Sequence, residues 1–401
     1  GLNKSKVVLL NIPAQGHIHH KLDVVNELNR RGEEVFYLST CEFKDRIKEV
    51  GADFIDYGSD AQQYLDQPIT NLAHLYRKLL EVSILVLERF LEAIRDIKPD
   101  YIIHDAFCPW GRYMAQILNI PAICSISTFA ISREGINFSG ELIKTLARSF
   151  TLDIHHILAS WWAKKKLRNG YRIKDMNLFD SLLNRAKLNI VYTSRDFQPN
   201  GSNFDNDYHF VGPSIRPRKE KIDFSLKGLS RPVIYISLGT ILNQKIEFYR
   251  QCFTAFSDFP GNIILSVGQK SKISELGKIP GNFIVKNYLP QLEVLKSADL
   301  FISHGGMNSV HEALYYQVPL IVIPGQQEQE MVARQVEKKG CGIYMSQTRP
   351  QLLRGKTEEL LKKRSYYQNN LKEMSYSLKN AGGYHEAARQ ILKFKESKGI
   401  D

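Results

Sequence analysis

Short, near-continuous apolar runs alternate along this chain with longer stretches in which apolar residues recur every three or four positions. Lys6-Val7-Val8-Leu9-Leu10-Asn11-Ile12 is the first such run. It is β-branched and apolar almost throughout, as a parallel strand covered on both faces requires. A loop, Pro13-Ala14-Gln15-Gly16-His17, follows. Leu22, Val25 and Leu28 then recur at helical spacing up to Arg31-Gly32, whose glycine signals a helix C-terminus. Glu34 to Leu38 predicts a second strand, and Asp100 to Asp105 and Pro121 to Ile126 two more. Strand and helix in this alternation predict a doubly wound α/β domain.

The alternation breaks at Val211-Gly212-Pro213-Ser214-Ile215-Arg216-Pro217-Arg218-Lys219, which is proline-containing, charged and aperiodic. Such a stretch reads as an interdomain linker over residues 213–230. It separates a domain at 1–212 from a second at 231–383, with a last helix at 384–401 expected to pack back on the first domain. The second domain restarts with Val233 to Gly239, then Asn262 to Val267, Leu300 to Ser303 and Leu320 to Pro324. The expected fold class is therefore α/β, two Rossmann-like domains with a ligand cleft between them.

Composition narrows the function classes. The chain has 401 residues, 43% hydrophobic and 24% charged, which is ordinary globular usage. Five cysteines lie far apart without a CxxC pair, which argues against a disulfide framework and a zinc site. No apolar stretch reaches spanning length and no signal-peptide pattern opens the chain, so a cytoplasmic enzyme is expected. The net charge of +12 would attract something acidic, but no nucleic-acid-binding motif accompanies it.

The candidate chemistry begins at Phe301-Ile302-Ser303-His304-Gly305-Gly306-Met307-Asn308-Ser309, a strand, a glycine turn and a helix start. Gly305 and Gly306 allow close backbone approach, and the free N–H groups of the following helix form an anion site. Glu312 lies one turn inside, placed to accept hydrogen bonds from sugar hydroxyls. Ser237-Leu238-Gly239-Thr240 ends an earlier strand with small hydroxylated residues, a second phosphate-contacting position. Tyr288-Leu289-Pro290-Gln291 offers an aromatic face and an amide. Glu328 and Gln329 follow another strand's carboxyl end, where open α/β sheets bind ligands.

Taken together these segments resemble the family-1 glycosyltransferases of the GT-B fold, the bacterial macrolide and natural-product type. The resemblance implies that His304 and Ser309 hold the donor diphosphate, with Thr240, Gly306 and Asn308 assisting and Ser127, Thr128, Ser237 and Gly239 as further phosphate contacts. It implies that Glu312 grips the ribose, that Tyr288 stacks on the base where the family usually has tryptophan, and that Leu289 and Gln291 meet the base or ribose. Glu328 and Gln329 would hold the sugar. His17 would be the general base and Asp105 its orienter, an imidazole near neutral pKa being suited to deprotonating an acceptor hydroxyl. The implied activity is inverting, metal-independent transfer of a hexose from UDP-glucose, or a dTDP-sugar, to a small hydrophobic or aromatic acceptor. No cofactor is implied, and the enzyme would act as a monomer or homodimer.

Three features sit beside that pattern. The family loop typically reads Gly-His-x-Asn-Pro, whereas here it is Gly16-His17-Ile18-His19-His20. The extra imidazoles could tune the base, line an acceptor pocket or lie in a solvated loop. Asp205-Asn206-Asp207 is formally a D-x-D metal motif, read here as a solvated turn. Trp161-Trp162-Ala163-Lys164-Lys165-Lys166-Leu167-Arg168 reads as an acceptor-side helix with one solvated face, or as a contact with an anionic membrane. Two other classes stay open: a lipid-glycosylating peripheral membrane protein, and a non-catalytic nucleotide-sugar-binding subunit.

Overall fold

The computed structural model describes residues 4–12, 15–65, 67–132, 154–216, 224–239 and 246–400; at residues 15–17, 19, 62 and 65 it describes the backbone alone. The chain divides into two compact units, one of residues 1–194, 200–214 and 381–401, the other of 195–199 and 215–380.

The first unit is built on seven parallel strands: Lys6–Leu10 (β1), Glu34–Ser39 (β2), Asp53–Asp56 (β3), Tyr101–Asp105 (β4), Ala122–Ile126 (β5), Leu188–Val191 (β6) and Tyr208–Phe210 (β7), in the order β3-β2-β1-β4-β5-β6-β7. Its helices include Gln15–Arg30 (α1), Lys44–Glu49 (α2), Ser59–Leu65 (α3), Leu72–Ile97 (α4), Pro109–Leu118 (α5), Ile154–Tyr171 (α6) and Leu178–Leu183 (α7). Because side chains alternate along a strand, Val7 and Leu9 enter one core while Val8 and Leu10 enter the other. On the first side lie Ile18, Leu22, Val25 and Leu28 of α1. On the other lie Leu80, Val86 and Leu87 of α4, Trp110 and Tyr113 of α5, and Ala163 and Leu167 of α6. The long α4 starts at an N-cap, Asn71, whose side chain accepts from the His74 N–H at 2.9 Å.

The second unit repeats the plan with six parallel strands: Ile234–Ser237 (β8), Ile263–Ser266 (β9), Phe283–Lys286 (β10), Leu300–Ser303 (β11), Leu320–Val322 (β12) and Gly342–Tyr344 (β13), ordered β10-β9-β8-β11-β12-β13. Ile246–Phe256 (α8), Gln291–Ser297 (α9), Met307–Tyr315 (α10), Gln327–Lys338 (α11), Pro350–Lys362 (α12) and Arg364–Asn380 (α13) are its helices among the described residues. Asp299, buried just before β11, accepts from the Val233 N–H at 2.8 Å and pairs with Arg231 and Arg364 at 2.7 and 3.0 Å. One carboxylate thus ties the start of β8, the start of β11 and α13 together.

The last helix, Gly383–Ser397 (α14), returns to the first unit. Ala387, Ala388 and Ile391 join the core beside α1. Lys395 donates to Glu33 at 2.9 Å and to Ser5 at 2.7 Å, and Tyr101 donates to the second Glu33 oxygen at 2.7 Å. All four groups are buried, and they lie at the amino ends of β1, β2 and β4.

Candidate active site

In both sheets the strand order reverses beside the first strand, at β1/β4 and at β8/β11. The space beyond the carboxyl ends there is where such sheets accept ligands. Asp105 ends β4, Ser237 ends β8 and His304 follows β11 at these two places, while Ser127, Tyr288 and Glu328 follow β5, β10 and β12.

In the second unit β11 runs into Ser303-His304-Gly305-Gly306 and then α10, whose N-cap is Gly306 and which has no side-chain cap. Gly239, at the end of β8, and Gly306 lie against the His304 ring. A Cβ at Gly239 would sit 2.4 Å from its Cε1, and one at Gly306 2.6 Å from its Nε2. Gly239 (φ +72°) and Gly305 (φ +89°) also take left-handed backbone that favours glycine. Two glycines therefore make the slot that holds this imidazole. Burial pushes its pKa down to about 4, so at neutral pH the ring is uncharged. An uncharged imidazole can donate a hydrogen bond through one ring nitrogen.

Gln291, Ser309 and Glu312 form one network. The Gln291 amide donates to Glu312 Oε2 at 2.7 Å and to Ser309 Oγ at 3.2 Å, and its carbonyl accepts from Tyr235 OH at 3.0 Å. Glu312 and Ser309 project one turn apart from α10, and Gln291 is the first residue of α9. Tyr288 stands just ahead of α9 and is 55% exposed, whereas Leu289 is buried. An aromatic ring this exposed is a surface that a planar ligand can cover. Gln329 is buried and its side-chain oxygen accepts from the Gly325 N–H at 2.9 Å, which fixes the turn into α11, while Glu328 is exposed beside it. Ser237 is buried with its hydroxyl 3.5 Å from the Gly239 N–H. Asn308 is half-buried. Thr240 lies outside the described residues.

In the first unit α1 begins at Gln15, so His17 belongs to a first helical turn and not to a loop. Its side chain, and that of His19, are outside the description. His20 is buried and stacks on Tyr192, with ring centroids 5.2 Å apart and planes 9° apart, so the solvated-loop reading fails for it. Asp105, at the end of β4, is fully buried. Its Oδ1 accepts from the Phe107 N–H at 2.9 Å, and its Oδ2 is held by the Lys21 ammonium, which also donates to Asn11 Oδ1 at 2.6 Å. Lys21 is only 1% exposed. The sequence reading missed it, although the signal was present: a lysine at the third position after Ile18, on the stripe that continues through Val25 and Leu28. Next to Asp105, His104 is buried between the Asp105 carbonyl (3.0 Å) and the Asn184 amide (3.2 Å), and burial lowers its pKa to about 4. Ser127 is buried, and Thr128 donates to the Phe129 carbonyl at 3.3 Å.

Asp205 and Asp207 are both gripped by Arg185 at 2.7 Å. They border an open groove of about 1050 Å³ that reaches the amino ends of β5, β6 and β7, away from the carboxyl ends where the other residues gather.

Residues 245–386 match the glycosyltransferase family 28 C-terminal domain. Over 402 aligned residues the chain is 35% identical to an uncharacterised UDP-glucosyltransferase, YojK, of Bacillus subtilis (strain 168), covering 98% of each protein. The chain belongs to the GT-B NDP-glycosyltransferases. The NDP-glycosyltransferase YjiC of the same organism is 34% identical over the full length of both chains. The crystal structure of the calicheamicin glycosyltransferase superposes with a TM-score of 0.83 at 25% identity, covering 98% of this chain and 99% of that one. The oleandomycin glycosyltransferase of Streptomyces antibioticus is 28% identical over 79% of this chain and 74% of its own. The glycosyltransferase described here thus uses a nucleotide-sugar donor and a small acceptor. Among its described residues no helix is long and apolar enough to cross a membrane.

Proposed function

We propose that this glycosyltransferase moves a hexose, glucose for preference, from a UDP-sugar to a hydroxyl of a small hydrophobic or aromatic natural product, with inversion and without a metal ion. The observation that carries the reading is the Gln291–Ser309–Glu312 network beside the His304 slot at one switch point. There the α10 N-terminus and the neutral His304 donate hydrogen bonds to the diphosphate, Glu312 and Gln291 receive the ribose, Tyr288 stacks on the base, and Glu328 and Gln329 hold the sugar. His17 takes the acceptor hydroxyl proton while that oxygen attacks the anomeric carbon, and the bond to the diphosphate breaks with its electrons leaving on UDP. Asp105 supports the imidazolium that forms. Relatives named for oleandomycin and calicheamicin support a natural-product acceptor.

Mass-spectrometric screening of UDP- and dTDP-sugars against phenols, macrolides and lipids tests the substrate assignment. Binding of the donor with neither transfer nor hydrolysis would turn it towards a non-catalytic donor-binding subunit. EDTA should leave turnover unchanged, and a loss restored by Mg²⁺ would reject the metal-independent mechanism.

A second reading concerns location. The inward face of α6 (Ser160, Ala163, Leu167) is buried, yet its outward face carries Ile154, Leu158, Trp161 and Trp162, the last two 54% and 61% exposed. Lys165 lies 5.2 Å from both indole rings. Aromatic residues beside lysines suit the surface of an anionic bilayer. Co-sedimentation with phosphatidylglycerol vesicles, lost in Trp161→Ser/Trp162→Ser, supports that contact; no sedimentation by the wild type rejects it.

A further inference from the structure

Lys21 is a buried charge beside the proposed orienter Asp105 that the reaction as proposed leaves without a task. Taking an ammonium out of water costs several kcal/mol unless its partners are fixed and hydrogen-bonded. Here they are both. Asn11, just beyond β1, supplies one acceptor, and Asp105, at the end of β4, supplies the other. The Phe107 N–H takes the remaining carboxylate oxygen, so the Asp105 side chain cannot rotate without breaking a bond at each end. Lys21 stands one helical turn after His17 on α1.

We infer that Lys21 is a positioning residue for the proposed base, an ammonium that pins Asp105 and offsets its charge, so that His17 works against a Lys–Asp pair in place of a bare carboxylate. The inference rests on the His17–Asp105 reading given above. Around the pair the neighbouring elements present groups that are neutral near pH 7: Tyr37 on β2, Tyr57 after β3, His104 on β4, Cys108 at the start of α5, Cys124 on β5 and Tyr192 after β6. Burial pushes the tyrosines and thiols up and His104 down, away from neutrality in each case. His20 of α1 lies on Tyr192, and the full charges that reach this shell from outside the pair are Arg112 of α5, Asp23 of α1 and Arg46 of α2. Lys21 and Asp105 are the charges in direct contact at its centre.

A carboxylate beside an imidazole favours the protonated ring, and a cation on that carboxylate's far oxygen removes part of the effect. On that reading, removing the cation should favour the protonated form of the base and removing the carboxylate its free form. The sign of each change follows from counting charge. Lys21→Met leaves a net negative site, Asp105→Asn a net positive one, and the double variant none, as in the wild type.

The test is the pH dependence of kcat/KM for wild type, Lys21→Met, Asp105→Asn and Lys21→Met/Asp105→Asn, with UDP-glucose as donor and a phenolic acceptor. The midpoint of the acid limb should rise by about one pH unit in Lys21→Met, fall in Asp105→Asn, and return close to the wild-type value in the double variant. If Lys21→Met does not fold, the ordering of Asp105→Asn below the double variant and the wild type carries the test, because the double variant has no unpaired buried charge. A role confined to packing would lower stability or kcat and leave all midpoints together, and that result overturns the inference. His17→Ala separates the two levels. If it retains transfer, the base reading fails whatever Lys21 does; if it is inactive yet binds UDP, coincident midpoints in the other variants count against Lys21 alone.

Discussion

Two histidines show how burial decides what an imidazole can do. His104 and His304 both have pKa values lowered to about 4, against 6.5 for a free ring, because each is withdrawn from water. The sign for stability is the same for both. The unfolded chain binds the extra proton between pH 6.5 and 4, so stability is fully present above 6.5 and falls as the pH drops through that window. For the fully buried His104 the loss is on the order of 3 kcal/mol. Urea titrations at pH 7 and pH 4.5 should show it, and His104→Gln should flatten the difference; a difference as large in His104→Gln as in the wild type would remove His104 as the cause. The half-buried His304 leads to a prediction about binding. A neutral ring gives a UDP-sugar affinity that is flat from pH 5.5 to 8, whereas a charged one would make the UDP-sugar bind more weakly as the pH rises. The same slot makes Gly306→Ala severe for function, since its methyl group would meet the ring. Loss of about tenfold or more in kcat/KM with an unchanged melting temperature is expected, and a fully active Gly306→Ala enzyme would mean that the ring moves freely.

At the scale of elements, strands were legible and helix surfaces less so. The sheet strands β1, β4, β5, β8, β9, β11 and β12 stand where continuous apolar runs lie, because a parallel strand covered on both faces has no polar side to confuse the pattern. The start of α1 was not legible as a helix: Gly16 and the neighbouring histidines resemble a loop, while the structure places Gln15 onward in helical backbone. On α6 the outward Ile154, Leu158, Trp161 and Trp162 oppose an inward apolar face, so no single amphipathic stripe exists to be read. The attachment of α14 came from long-range chemistry that sequence alone does not order: Lys395 meets Ser5 and Glu33, partners more than three hundred and fifty residues away. This latch predicts a stability pattern. Lys395→Met strands the buried Glu33 carboxylate with only Tyr101, at a cost of about 3–5 kcal/mol. Adding Glu33→Gln removes the stranded charge and should return most of it. Chemical denaturation of Lys395→Met, Glu33→Gln and the double variant decides the point; an additive double variant would show that the two groups do not act as a pair.

At the scale of the whole molecule the chain carries its proposed chemistry in two separate places. His17, Lys21 and Asp105 belong to the unit built on β1 to β7, and Tyr288, Gln291, His304, Ser309 and Glu312 to the unit built on β8 to β13. The donor motifs were readable because they are local in sequence, a strand end and the helix that follows it. Lys21 was not read, because its partner lies eighty-four residues on and meets it through the sheet order. This separation makes the kinetics of variants divisible. A nucleoside diphosphate held by the second unit alone should bind His17→Ala as tightly as wild type, while transfer is abolished. Gln291→Ala removes the amide that joins Ser309 to Glu312 and should weaken UDP by about tenfold, the scale of one or two hydrogen bonds, while a saturating donor restores much of kcat. Calorimetric titration with UDP, run beside single-turnover transfer, reads both effects on the same preparations. If His17→Ala lost UDP affinity along with transfer, the donor site would have to include the first unit, and the division of labour argued from the two sheets would be wrong.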